Sequence, residues 1–372
     1  MNLSYWEYQS WLSNIDYTII GSGIVGLSAA LRLREKFPKA NILILERGFL
    51  PNGASTKNAG FACFGSLSEI LDDLNSHSEE EVVKLVQKRV DGLALLRKTL
   101  GDHAIDFKKW GGYELFTPEE RLLLEDCQSK MEYINNLLHP VFKEDVFSAG
   151  TDKFNFKRIE EVVIFNKFEG QINTGKMMEA LLQKALKADI KILNNISAEE
   201  FLEKNSSVKI KTDQFEFTSK KVLIATNGFA AQLGLESVKP ARAQVLVTKP
   251  IENLQIQGTF HLDKGFYYFR NIDKRILLGG GRNLDIKTEE TTTLGETVLI
   301  QNKLETLLRE TILPDYDFEI DRRWSGIMGV GTQKNPIVKQ LSNNTYCGVR
   351  LGGMGVAIGS LVGKELADLT PN

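Results

Sequence analysis

The stretch from Asp16 to Glu46 constrains this chain more than any other. It opens with an apolar run, Asp16-Tyr17-Thr18-Ile19-Ile20, that reads as a buried strand. Gly21-Ser22-Gly23-Ile24-Val25-Gly26 follows, and then an amphipathic helix through about Lys36 with Leu27, Ala30, Leu31 and Leu33 as its apolar positions. A second apolar run, Asn41-Ile42-Leu43-Ile44-Leu45, ends at Glu46. The order is strand, glycine turn, helix, strand, acid.

Each part has a physical reason. Gly21 permits the tight turn out of the strand, Gly23 lets a pyrophosphate approach bare backbone, and Gly26 lets the helix pack closely on the strand. Ile24 and Val25 begin the helix, whose unpaired amides and positive dipole end favour phosphate. Glu46, twenty residues past Gly26, stands where an acid accepts hydrogen bonds from an adenosine ribose. A carboxylate there repels a ribose 2′-phosphate, a point that neighbouring Arg47 weakens. G-x-G-x-x-G alone carries little information. Here its strand, helix, second strand and acid all fall in place, and an adenine-dinucleotide site is expected.

The chain has 372 residues, enough for two domains. A formal net charge of −2 offers no basic excess for nucleic acid or an anionic membrane surface. Three widely spaced cysteines, Cys63, Cys127 and Cys347, argue against a disulfide framework and for a reducing, cytoplasmic setting. Without a C-x-x-C pair, and with His77, His103, His139 and His261 scattered, no metal site is expected. No signal peptide is visible, and no apolar run reaches membrane-spanning length.

Along the chain, Ser4-Tyr5-Trp6-Glu7 has capping-box form, so a short helix through Leu12 is expected, with Trp6 and Trp11 packing on the body of the protein. Residues 53–62, Gly-Ala-Ser-Thr-Lys-Asn-Ala-Gly-Phe-Ala, form a small, polar loop just past the ribose-binding strand, placed to touch the cofactor. Two long helices are expected over Ser78–Leu100 and Pro118–Leu138, the first capped by Ser78 with Glu81, with a strand at Gly112–Phe116 between them. That segment reads as an insertion distinct from the first domain. Further on come a helix at Gly175–Ala188 and strands at Ile190–Asn194, Val208–Thr212, Gln214–Thr218 and Val222–Ala225. The last of these enters Thr226-Asn227-Gly228, an ending that suits a sheet edge against a ligand. The next part is strand-rich: Ala243–Thr248, Gly265–Arg270, Arg275–Leu278 and Phe318–Ile327, with a helix at Thr292–Leu308. Gly265–Arg270 and Arg275–Leu278 form a hairpin whose alternation puts Phe266, Tyr268 and Arg270 on one face and Tyr267 and Phe269 on the other. Finally, strand Tyr346–Val349 leads through Arg350-Leu351-Gly352-Gly353-Met354-Gly355 into a helix from Val356 to about Leu369. Too few residues follow for a second dinucleotide unit, so this turn reads as an anion-favouring helix start aimed at the first cofactor.

Six segments in this order carry a resemblance: Gly21–Gly26 with Glu46, Gly53–Gly60, Val222–Gly228, Pro240–Val245, Arg323–Gly326 and Gly352–Val356. Over nearly its whole length the chain resembles the D-amino-acid oxidase family of FAD-dependent oxidoreductases, which includes glycine oxidase and monomeric sarcosine oxidase. The resemblance implies an α/β protein with a Rossmann-like FAD-binding domain and a substrate domain built on a large mixed β-sheet with helices. The FAD domain would be discontinuous (residues 1–76, 155–235 and 323–372), with residues 77–154 and 236–322 forming the substrate domain. It further implies that Gly21, Gly23 and Gly26 serve the pyrophosphate and Glu46 the ribose. Ser55, Thr56, Asn58, Ala59, Gly60 and Phe61 would run along pyrophosphate and flavin. The backbone near Ala198 would touch adenine, and Gly352, Gly353, Met354, Gly355 and Val356 would face the pyrimidine side of the ring. Covalent members use a cysteine in a segment that here reads Gly326-Ile327-Met328-Gly329, so non-covalent FAD is expected. The arginine that holds the substrate carboxylate in glycine oxidase is replaced by Ile327-Met328, which tells against simple glycine-like substrates.

The implied reaction oxidises a C–N bond of a small-molecule amine or amino acid by hydride transfer to flavin, with oxygen as acceptor and no side-chain base if the amine binds neutral. Tyr268, Arg270 and Arg350 are the candidate pocket residues, an arginine fork matching a carboxylate. Arg270 could equally end its hairpin in solvent, and Tyr268 could simply pack. The rival readings are a dehydrogenase passing electrons to a quinone or carrier protein, a flavin-binding protein without turnover, and a nicotinamide-only dehydrogenase.

Overall fold

The computed structural model describes residues 2–371 and builds them around two eight-stranded sheets. The first runs in the order Ile337–Gln340, Thr345–Val349, Glu216–Ile224, Ile15–Ile20, Ile42–Leu45, Lys191–Leu193, with Ser207–Thr212 and Ala198–Lys204 attached beside Glu216–Ile224. Ile15–Ile20 lies parallel to both neighbours, with Ile19 opposite Leu223 on one side and Ile44 on the other. A central parallel strand is covered on both faces, which is why Ile19, Ile20 and their partners read as an unbroken apolar run. Helix Ile24–Lys36 buries Leu27, Ala29, Ala30 and Leu33, and it packs on the last helix, Gly355–Asp368. Helices Ile24–Lys36 and Gly355–Asp368, from opposite ends of the chain, thus share one layer.

The second sheet runs Ile320–Val330, Lys239–Thr248, Arg275–Gly280, Tyr267–Ile272, Thr259–Leu262, Gly112–Glu114, Val162–Asn166, Phe147–Thr151. It is mixed, because Thr259–Leu262 pairs parallel with Gly112–Glu114 while the other pairs are antiparallel. One face is a dry core in which Phe260 and Phe269 stack at 4.5 Å, backed by Ile300 and Leu304 of helix Val298–Leu307. The expected alternation holds in part: Tyr267 and Phe269 enter this core and Tyr268 faces a large cavity, while Phe266 touches both core and cavity and Arg270 stays off the cavity wall. The hairpin turns at Asp273 and Lys274, both with positive φ (47° and 60°), as a two-residue turn of right-handed strands requires.

Several expectations need correction. Gln214–Thr218 and Val222–Ala225 are not two strands but parts of one, Glu216–Ile224; Ser219 and Lys221 continue the ladder in spite of their polarity. Trp6 does not pack on the body, and Trp11 does so only in part, with Lys191 Nζ 6.0 Å from its ring centroid. The capping box at Ser4 and Glu7 forms, but the helical turn it starts leaves the two rings 75% and 40% exposed. Val162–Asn166 and Ile320–Val330 pair within the second sheet. Helix Glu79–Leu100 is no separate insertion: bare Gly92 lets it lie against Ala357 and Ile358 of the last helix. Helix Leu67–Leu74, with its own capping box at Ser66 and Glu69, and strand Thr259–Leu262 add elements that the pattern of residues had not suggested.

Candidate functional site

The two sheets meet across a cavity of about 630 Å³. On one side lie the glycine turn and helix start of the first strand. Gly21 has φ +103°, and a Cβ on it would stand 2.9 Å from the carbonyl oxygen of Ala225. Gly23 is in ordinary extended backbone; a Cβ there would stand 2.8 Å from Ser55 Oγ, which would have to turn away and give up its bond to the Ile24 amide. Ser55 Oγ accepts from the Ile24 amide at 2.9 Å, which ties the Ala54–Lys57 turn to the helix start. Gly26 lies behind the cavity and allows the helix to press on Gly21 and Ile19.

Glu46 is buried on the cavity wall. Its carboxylate accepts from Ser22 N at 3.1 Å, Ser22 Oγ at 2.7 Å and Gly48 N at 2.9 Å. A fourth, longer bond comes from Asn52 N at 3.4 Å, and together these bonds fix the carboxylate's orientation on the wall. Arg47 lines the cavity too, its guanidinium 3.6 Å from the centroid of the Phe229 ring. Asn58, Ala59, Gly60 and Phe61 line the cavity, and Asn58 Oδ1 accepts from Gly60 N at 2.9 Å, shaping the loop.

The late glycine turn reaches the same cavity. Gly352 and Gly353 have φ of 59° and 85°, and they line the wall with Met354, Gly355 and Val356 at the start of helix Gly355–Asp368. Asn227 Oδ1 accepts from the amides of Arg350 and Leu351, each at 3.1 Å, clamping this turn to the end of strand Glu216–Ile224. Beside it, Thr226 Oγ1 is buried on the wall with no hydrogen-bond partner. The orphaned hydroxyl, two helix starts whose N-cap residues Gly23 and Met354 supply no capping side chain, a bare glycine cradle and an oriented acid fit a phosphate-bridged dinucleotide.

Other candidates sit elsewhere. Arg270 is 2% exposed and does not line the cavity. Its guanidinium donates to the carbonyls of Ala59, Ile172 (3.0 Å) and Asn271 (3.3 Å). Burial pulls its pKa down to about 10. Arg270 neither ends its hairpin in solvent nor reaches a substrate; it braces the loop at residues 58–60. Arg350 is spent likewise, with Nε and Nη2 donating to Asn335 O at 3.1 and 2.9 Å. Thr56 points away and donates to Pro51 O at 2.7 Å, and Ala198 lies in strand Ala198–Lys204 off the wall. Tyr268 does line the cavity; its ring meets Phe61 edge-on at 5.6 Å, and burial pushes its phenol up to about 12.

The sheet also brings residues that the sequence did not single out. His261 stands on the wall with its Nε2 2.9 Å from Glu169 Oε2, and Thr259 Oγ1 donates to that same oxygen at 2.9 Å. Burial opposes a charge on His261, but the Glu169 carboxylate and its hydrogen bond outweigh burial and push the imidazole up to about 9. At neutral pH the ring is therefore an imidazolium. Nearby, Glu114 is buried against Ser66 and Ser68, and burial raises it to about 6 in spite of those hydrogen bonds. The wall further holds Cys63, whose Sγ is 3.6 Å from Met354 Sδ, along with Lys264 and Arg282. The alternation in Thr259-Phe260-His261-Leu262, polar residues between apolar ones, was the available signal for His261.

A family model described as FAD dependent oxidoreductase (DAO) matches residues 16–369. Among curated relatives, the probable oxidoreductase OrdL of Haemophilus influenzae is 22% identical over 96% of this chain and 83% of that protein. The gamma-glutamylputrescine oxidoreductase of Escherichia coli is also 22% identical, over 95% of this chain and 82% of its own length. Among solved structures, glycine oxidase from Geobacillus kaustophilus superposes with a TM-score of 0.74 at 18% identity, covering 95% of this chain and 94% of that one.

Proposed function

This chain belongs to the DAO family of FAD-dependent oxidoreductases, and from that premise we propose that it oxidises a C–N bond of an amino acid or amine, with oxygen as the electron acceptor. The observation that carries the reading is the meeting of two glycine-rich helix starts, one after Gly23 and one after Met354, neither capped by its own N-cap side chain, on a single cavity roofed by the second sheet. FAD, when bound, supplies the acceptor for the substrate's hydride. Gly21, Gly23 and the Ile24–Lys36 helix start would hold its pyrophosphate, Glu46 its ribose, and residues 352–356 its far end. A relative named for gamma-glutamylputrescine and a structural neighbour named for glycine support an amine or amino-acid substrate.

The chain's own residues then define the proton chemistry. His261 is held protonated by Glu169, and burial holds the Tyr268 phenol and the Cys63 thiol protonated, each above its ordinary value. Each carboxylate on this wall holds a partner: Glu46 accepts from Ser22 and Gly48, Glu69 through Oε2 from Ser66 N at 2.9 Å, and Asp72 from Lys264 Nζ at 3.2 Å. The protonated groups of the wall act as donors, and no side-chain base is required when the amine enters neutral, so the substrate's own ionisation governs the rate. Phe61, Phe266 and Tyr268 exclude water from the reacting carbon.

The test is to purify the protein, record its visible spectrum, and mix it anaerobically with a panel of amines and amino acids. Bleaching of the flavin band by a member of the panel, followed by peroxide formation on admitting air, is the expected result. Bleaching without peroxide moves the acceptor to a quinone or carrier protein. A yellow protein that no member bleaches ends the proposal.

A further inference from the structure

We propose that Arg282 is the anion-recognising residue of this cavity, its guanidinium binding a carboxylate on the substrate, so that the substrate is an amino acid rather than a simple amine. This rests on the reading of the cavity as a site of FAD-dependent C–N oxidation. Arg282 follows strand Arg275–Gly280 through Gly280 and Gly281, whose φ values of 127° and 79° turn the chain onto the cavity wall. The turn that carries it is fixed from both sides. Gly281 N donates to Phe266 O at 3.0 Å, and Asn283 Nδ2 donates to Asp263 Oδ2 at 2.7 Å.

The other end of the side chain is free. Among the described residues no acid pairs with Arg282 and no hydrogen bond leaves its guanidinium, which lies 6.0 Å from the centroid of the Phe266 ring. The nearby acids are already satisfied. Arg242 holds Glu289 bidentately, Nε and Nη2 each at 2.8 Å, and Gln244 Nε2 adds a bond at 3.0 Å. Asp263 is taken by Asn283, and Asp72 by Lys264. Burial depresses the Arg282 pKa, the mark of a cation removed from water without a full counter-charge.

Of the remaining cations on the wall, Arg47 also lacks an acid partner among the described residues, but its guanidinium stacks 3.6 Å from the Phe229 ring centroid beside Glu46, at the end of the cavity assigned to the ribose; apart from Lys57, the others are engaged. His261 has Glu169, Lys334 has Asp73, and Arg270 and Arg350 have carbonyls. Lys57 lies on the wall without an acid, but it belongs to the Ala54–Lys57 turn, with its stem on Gly326, and offers a point charge rather than a fork. A planar guanidinium, half-buried, unpaired and anchored at its base, matches a carboxylate in two parallel hydrogen bonds.

The experiment is calorimetric titration of the FAD-loaded protein with benzoate and with its uncharged isostere benzamide. The wild type is expected to bind benzoate at least ten times more tightly than benzamide. Arg282→Gln is expected to weaken benzoate by about 10- to 100-fold and to leave benzamide and FAD content unchanged. Arg282→Lys, which keeps the charge and loses the fork, is expected to fall between. Wild-type protein that binds neither probe, binds both equally, or holds benzoate as tightly after either substitution overturns the assignment. Anaerobic bleaching of the wild type separates the two readings. Bleaching by an amine together with Arg282-independent benzoate binding sinks this inference alone. Arg282-dependent benzoate binding in a protein that nothing bleaches sinks the oxidase reading, and the substrate assignment with it.

Discussion

Replacing Glu169 with glutamine tests the charge state of the cavity wall directly. In the native protein Glu169 faces His261 at 2.9 Å, both groups almost fully buried, and the imidazole titrates near 9 against an ordinary 6.5. The folded-state pKa is raised, so the stabilisation is complete below the unfolded value and is lost as pH rises through the folded one. The window runs from about 6.5 to about 9. A shift of this size corresponds to roughly 3 kcal/mol of linkage, within the range seen when one partner of a buried pair is removed. Glutamine keeps the shape and can still bond Thr259, but without the negative charge burial dominates and His261 becomes neutral. The variant is therefore expected to lose about 3 kcal/mol at pH 6 and only about 1 kcal/mol, the worth of one hydrogen bond, at pH 10. Urea unfolding followed by tryptophan fluorescence at the two pH values reads both numbers. A loss of equal size at both would mean that Glu169 acts by packing alone, and the argument that the wall presents an imidazolium would fall.

Three shorter predictions follow from the cofactor side. Gly23→Val places its Cβ in contact with Ser55 Oγ and covers the bare backbone, with no change of φ region required; the purified variant should be nearly colourless yet fold, and full flavin retention would contradict the cradle. Thr226→Val removes a buried hydroxyl that has no protein partner, so the apoprotein should be as stable as wild type or about 1 kcal/mol more so, while FAD dissociates several-fold more readily; equilibrium dialysis showing unaltered FAD affinity would disprove a role for the hydroxyl. Cys63 is the cavity's thiol, and burial raises its pKa well above the ordinary thiol value, so it is a poor nucleophile. Acid precipitation should release all of the flavin into the supernatant, and yellow colour kept in the washed pellet would point to a covalent bond.

How much of this was legible in the sequence depends on what fixes each residue. The cradle was readable because local backbone sterics dictate it: Gly21, Gly23 and Glu46 act within one strand–helix–strand unit, and their spacing carries the geometry. The late turn at residues 352–356 was readable for the same reason, although only the strand order shows that it closes on the first. The arginines were not readable. Arg270 follows Tyr268 by two residues and shares its face, yet one ring lines the cavity while the guanidinium plugs into the carbonyls of Ala59 and Ile172, which come from elsewhere in the chain. Nothing in the strand distinguishes a cation that meets a ligand from one that meets a carbonyl; the difference lies in which loops the topology brings past its tip. Arg282 is the converse. Its sequence context, Gly-Gly-Gly-Arg-Asn, reads as an ordinary turn, and it becomes a recognition residue only because Arg242 and Gln244, from another strand, have already claimed Glu289. A charged side chain is thus assigned by its competitors, and a buried guanidinium without one is where a ligand's charge belongs.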